Sequence, residues 1–351
     1  MKWSRVLEGL LVSVLLVLAV AMFTDRQQML RILTGVDPVS YAIALGTTLG
    51  GILIWSGTLS SLLRAHDVEP TPGRFQVSFV AGMGIRNLVP GGATTGPIVL
   101  GYAITRANEV DAETSIAMAY VLEVFLWVGT AVVGLLGFVL LVLSRELSVL
   151  ERRLAMGLLS FTVIAFAVIL YGIRNPDPIE RTVEWIVTTL HDLVQGHSAF
   201  LEEHLDASVV EERLDRFFAA FRLIDDDPLL IVPGMAMAVG GWFVHALTLY
   251  FVFVSLEVPM GIAVPFVVVP VAGLTEGLSM LPGGIGVFEP TFVFLLLLVS
   301  PISVPVATSA VILYRLSNYW FRIGLGFASV SVLGLSDLLQ ASFEDRTAPS
   351  R

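Results

Sequence analysis

Met280-Leu281-Pro282-Gly283-Gly284-Ile285-Gly286-Val287-Phe288-Glu289-Pro290 interrupts a long apolar run with proline, three glycines and a carboxylate. Proline removes a backbone donor and clashes with the preceding turn, and glycine is the poorest helix former after proline. In hydrocarbon the freed backbone groups find partners only in protein or enclosed water. A glutamate at membrane depth adds about 3 kcal/mol on insertion scales. A break this costly points to a functional site. It also has an echo: Leu88-Val89-Pro90-Gly91-Gly92-Ala93-Thr94-Thr95-Gly96-Pro97.

The surroundings of both stretches are those of an integral membrane protein. Of 351 residues, 56% are hydrophobic and 14% charged, whereas soluble domains carry about 25% charged residues. With no cysteine, disulfides, thiolate catalysis and Cys-based metal sites are excluded. The net charge is −10, and among 20 basic residues only Lys2 is a lysine. That balance suits a high-salt cytoplasm; a GC-rich genome favouring arginine codons is the alternative. No basic patch exists to neutralise phosphates, so nucleic acid is not an expected partner.

In chain order, 3–23 matches the roughly 20 residues needed to cross a bilayer core. A secretory signal is the rival, but no small-residue cleavage site leads into a polar start. Residues 1–38 therefore read as a first spanning helix and loop. Repeat unit one covers 39–143: a span over 39–63, two short apolar pieces (75–89 and 93–105) around Pro90-Gly91-Gly92, and a long span over 114–143. A connecting span covers 144–173. Residues 174–228 form an acidic insertion; its first 54 residues hold 13 acids and 5 basic residues, −8 of the total −10. Apolar residues there fall at helical spacing and predict two amphipathic helices. Repeat unit two covers 229–335, with a span over 229–256, short pieces (258–280 and 287–299) around the opening stretch, and a last span over 304–335. A polar tail covers 336–351.

Laying Pro282 on Pro90 gives an offset of 192 residues. Each unit then reads span, short half, Pro-Gly-Gly, short half, span, and Arg315 meets Glu123. Short apolar halves facing each other across such a break read as re-entrant or broken helices. Three full crossings and one re-entrant pair separate the starts of the units, and an odd number of crossings inverts the second. The expected fold is all-α: a polytopic membrane protein with two inverted repeats and broken half-helices around a central cavity. Twelve basic residues fall on one side and five on the other, which places both termini in the cytoplasm.

Arg86-Asn87-Leu88-Val89-Pro90-Gly91-Gly92 and Leu281-Pro282-Gly283-Gly284-Ile285-Gly286-Val287-Phe288-Glu289 resemble the motifs of the lysylphosphatidylglycerol synthase transmembrane-region family, a flippase-like domain family. The resemblance covers nearly the whole chain and implies a cell-membrane protein that moves or binds a phosphate-bearing lipid, phospholipid or polyprenyl. Two departures stand out. Ala93-Thr94-Thr95-Gly96-Pro97 replaces the charged residues that often follow the first motif in relatives. The sequence ends at Arg351 without the soluble aminoacyl-transfer domain of the name-giving synthases, so their synthase activity is not expected.

Ionisable residues at membrane depth are few: Arg86, Glu123, Glu276, Glu289, Arg315 and Arg322, with His245 nearby. An isolated buried charge is costly, so pairing is expected. The repeat equivalence predicts Glu123 with Arg315, and Arg86 with Glu289 or Glu276. Helix starts at Ala93 and Ile285, together with arginines, suit a lipid phosphate. The expected substrate-binding set is Arg86, Asn87, Pro90, Gly91, Gly92, Thr94, Glu123, Pro282, Gly283, Gly284, Gly286, Glu289 and Arg315. Alternatively the charge pairs only hold the units in register. Neither catalytic residues nor a metal or cofactor is expected: His245 is a lone histidine on an apolar span, and Glu276 and Glu289 lack a His-rich partner. No Lys-Ser/Thr follows the glycines, so any driving energy comes from a gradient or lipid flow. The second expectation is a membrane-embedded partner for a separate lipid-modifying or glycosylating enzyme, docked through the acidic insertion.

Overall fold

The computed structural model describes residues 26–89, 92–108, 110–144, 156, 160, 228–278 and 282–334, with backbone only at 26, 92–94, 228–231, 275–278 and 282. Most of the first span, the connecting span, the acidic insertion and the tail lie outside the described residues. The described chain is helical throughout, with no strand among the described residues.

Helix α1 (Arg26–Thr34) leads into α2 (Pro38–Ala65). Asp37 caps α2, its Oδ2 accepting the Ser40 N–H at 2.8 Å, and Pro38 supplies a preset first turn. At 1.5 Å per residue, 28 residues span about 42 Å, enough to cross a ~30 Å core. Next come α3 (Arg74–Ile85), a 3₁₀ turn (Arg86–Leu88), α4 (Gly92–Asn108) and α5 (Ala112–Ser144). The second half repeats the order: α6 (Pro228–Ser255), α7 (Ala263–Leu278), a 3₁₀ turn (Pro282–Gly284) and α8 (Phe288–Val299). The 12 residues of α3 and of α8 reach only about 18 Å. They are shorter than a bilayer core, as the short apolar pieces in the sequence predict.

One element departs from expectation. The last span is not a single helix: α9 (Val304–Arg315) passes through a π-helical turn (Leu316–Trp320) into α10 (Phe321–Leu333). An extra residue in one turn rotates all that follows by about 100° relative to a continuous α-helix. Sequence spacing carries no mark of it, because Leu-Ser-Asn-Tyr-Trp is an ordinary helical pentapeptide.

The most extensive helix pair is α2 with α6. Asp37 N–H donates to Ser255 O at 2.8 Å at one end, Thr48 and Thr248 hydroxyls meet at 3.1 Å further in, and Trp55 Nε1 donates to Ala238 O at 3.3 Å beyond. Numbers rise on one helix as they fall on the other, so the two first helices of the halves run antiparallel. A Cβ on Gly241 would lie 2.4 Å from the Trp55 ring, so this crossing requires glycine. The broken helices are exchanged between halves: α3 packs on α10, and α7 on α5. At the first exchange a Cβ on Gly84 would lie 2.5 Å from Gly326 Cα, and one on Gly326 2.8 Å from Gly84 Cα. Backbones touch there, as small residues allow in membrane helix pairs.

Candidate functional site

The second break is held by its own side chains. Gly283, Gly284 and Gly286 have φ of 62°, 70° and 85°, a region only glycine enters without cost. Gly283 is doubly constrained, since a Cβ would lie 2.1 Å from Tyr319 Cε2. Arg315, at the end of α9, donates from Nε to Glu289 Oε1 at 2.7 Å and from Nη2 to Gly283 O at 2.7 Å. Glu289 Oε2 accepts the Gly286 N–H at 2.9 Å. The guanidinium lies 4.3 Å from the Phe288 ring centre and 5.0 Å from that of Tyr319. Both charges are buried. Arg315 and Glu289 thus clamp the loop, which stores a left-handed backbone at membrane depth.

The first break carries a second ion pair of reversed order. Arg86 opens the 3₁₀ turn, and its Nη1 contacts Glu123 Oε1 on α5 and the Met83 sulfur. Gly96 on α4 makes room, as a Cβ there would lie 2.7 Å from Arg86 Nε. Asn87 Nδ2 donates to Met83 O, and Asn87 O accepts from the Tyr319 hydroxyl at 3.3 Å. Tyr319, on the π turn, therefore wedges between the two breaks.

These contacts correct three expectations. Glu123 pairs with Arg86, not Arg315. Arg86 pairs with Glu123, not Glu289, and the Glu276 side chain lies outside the described residues. Each break folds back on a later helix of its own half, so a partner is local rather than repeat-related. Third, α8 begins at Phe288, not Ile285, and Glu289 already occupies the donor-rich start of that helix. That pole is closed to a substrate anion. Of the other expected site residues, Pro90 and Gly91 lie outside the described residues. Gly92 and Thr94 form the start of α4, and Pro282 opens the second turn.

Between the breaks lies a cavity of about 140 Å³, comparable to an engineered cavity of about 150 Å³ that admits benzene. Arg86, Asn87 and Glu123 line one side, Gly283 and Gly284 another. Arg315, Glu289 and Gly286 are not among the lining residues. Trp55, Trp127, Trp242, His245, Phe288, Tyr314, Asn318 and Arg322 complete much of the wall. None of these was in the expected set. His245 Nε2 lies 3.2 Å from both the Tyr314 hydroxyl and Arg322 Nη2. A guanidinium only donates, so Nε2 accepts and the neutral ring carries its proton on Nδ1. Arg322 also faces the Trp55 ring at 5.6 Å. Arg322 stands seven residues after Arg315, the same face of a continuous helix; the π turn sends it to the cavity instead. Trp242 Nε1, His245 Nδ1 and Asn318 Oδ1 are buried without a hydrogen-bond partner among the described residues. A polar ligand or water in the cavity has these groups to satisfy.

The family model described as lysylphosphatidylglycerol synthase TM region matches residues 6–326. The chain belongs to that family. Among relatives of this chain is a UPF0104 membrane protein of Methanothermobacter thermautotrophicus, 22% identical over 303 residues, covering 86% of this chain and 87% of that protein. A second UPF0104 membrane protein, from Methanocaldococcus jannaschii, is 26% identical over 157 residues, covering 43% of this chain and 65% of its own length. Family membership and, among the described residues, three helices long and apolar enough to cross a membrane place the chain in a membrane.

Proposed function

We propose that this chain is a lipid transporter that binds the phosphate-bearing headgroup of a membrane lipid between its two breaks and passes it across the bilayer. The observation that carries this reading is Arg86. Its side chain is 13% exposed beside a Glu123 side chain that is 14% exposed, and both line the cavity. A guanidinium is the side chain best matched to a phosphate. Gly283 and Gly284 line the same cavity. Antiparallel α2 and α6 and the exchanged half-helices support two units of opposite orientation, the arrangement in which alternating access proceeds by rocking around a central site. The aromatic walls suit the apolar neck of a lipid below its phosphate.

The test is translocation of headgroup-labelled phosphatidylglycerol in phosphatidylcholine vesicles containing the full chain. Headgroup-dependent movement lost in Arg86→Ala is the expected result. No movement, or an Arg86→Ala variant indistinguishable from the native chain, overturns the reading.

A further inference from the structure

The two ion pairs differ in what they leave free. Glu289 spends one oxygen on the Gly286 N–H and the other on Arg315, whose Nη2 also holds Gly283 O. Neither partner lines the cavity. Glu123 instead touches Arg86 through one oxygen, from a cavity wall. The Arg86–Glu123 pair can exchange partners; the Arg315–Glu289 pair cannot without losing the loop.

Resting on the lipid-headgroup reading above, we propose that Glu123 couples headgroup binding to a proton. A phosphodiester entering the cavity competes with Glu123 for Arg86. The other guanidinium of the wall, Arg322, is turned onto His245 and Trp55; Arg86 cannot lose its proton, so an anion entering there would set two negative groups side by side on that one cation at membrane depth, where such a charge is costly. Uptake of one proton by the Glu123 carboxylate restores one anion to one cation. The neutral acid then has an O–H to donate to a phosphate oxygen. In reverse, Glu123 loses the proton, retakes Arg86 and expels the headgroup. One proton is bound per phosphodiester, and no other bond changes.

The groups around Glu123 permit this. Arg86 faces it from the first break, Tyr120 stands one turn back on α5, His245 comes from α6 and Arg322 from α10. From α2 the cavity receives Trp55, which is uncharged. On α4 the charged Arg106 is exposed and held by the Tyr102 hydroxyl at 3.0 Å. The α7 residue Glu276 has no described side chain. His245 accepts from Arg322, so a second proton there would set two cations together. Among the described residues, Glu123 is the acid positioned to take it.

The probe is dihexanoylphosphatidylglycerol, titrated into the purified full chain in neutral detergent from about pH 5 to about pH 8. Binding is read by fluorescence, since Trp55, Trp127 and Trp242 line the cavity. Calorimetry in buffers of different ionisation heat counts protons. The expected result is uptake of about one proton per lipid, with affinity falling about tenfold per pH unit on the alkaline side. Glu123→Gln should bind with no pH slope. Binding without proton uptake by the native chain, or an unchanged slope in Glu123→Gln, overturns the coupling and leaves the lipid site standing. Absence of binding at every pH, or native-like binding by Arg86→Ala, overturns both. The proton count on the native chain decides the matter even if the variant fails to fold.

Discussion

Arg315 and Glu289 meet end to end across the second break: Nε to Oε1 at 2.7 Å, with Nη2 reaching past to Gly283 O at 2.7 Å. One arginine therefore neutralises the acid of the motif and satisfies a carbonyl that the broken helix releases. The motif's glutamate and its arginine hold one another and the loop.

Arg315→Ala leaves Glu289 buried without its counter-charge. Breaking a buried pair from one side costs about 3–5 kcal/mol. A large drop in thermal stability in detergent is expected, with Arg315→Lys intermediate because one ammonium does not reproduce the planar fork. Replacing both partners by apolar residues should cost less than Arg315→Ala alone. If the single variant melts with the native chain, the clamp has no structural weight.

Gly283→Ala should destabilise through two separable terms. A left-handed backbone costs a residue with a Cβ about 1–2 kcal/mol, and the methyl would collide with the Tyr319 ring. Tyr319→Ala in the same chain should recover the steric part only. Full recovery on removing the ring would show that the backbone conformation carries no penalty.

Gly96→Ala tests Arg86 without touching it. A methyl 2.7 Å from Nε must push the guanidinium aside. Headgroup binding should weaken about tenfold or more, the worth of one charge-assisted hydrogen bond, while melting shifts little. Equal loss of binding and stability would assign Gly96 to packing alone.

Asp37 gives a pH signature outside the bilayer. Hydrogen bonds from Ser40 hold its carboxyl below the ordinary 3.8. A depressed acid contributes stability above its unfolded value and loses it as pH falls through the folded one. The melting difference between native chain and Asp37→Ala should be full at neutral pH and be lost as the pH falls below the ordinary carboxyl range through the folded value. A difference that persists in strong acid would show that the cap does not act through the carboxylate.

Much of the architecture was legible because length and hydrophobicity report crossing directly. The short helices are legible since Pro-Gly-Gly cannot continue a helix. Partners were not visible. The offset that lays Glu123 on Arg315 says nothing of reach: Arg86 folds back onto α5, and Glu289 onto the end of α9. His245 looked solitary in sequence because Tyr314 and Arg322 arrive from 69 and 77 residues away. The π turn was invisible too, and with it the turn of Arg322 into the cavity. Glycines such as Gly84 and Gly96 were lost among 31, since only their neighbours distinguish them.

The exchange of half-helices has a consequence for how the molecule is made. Gly84 rests against Gly326, and α7 lies on α5, so each half finishes the other's interior. The first half leaves the ribosome with its α3 face uncovered and must wait for a helix synthesised some 240 residues later. Translated from separate messages, the halves should therefore accumulate only when both are made in the same cell.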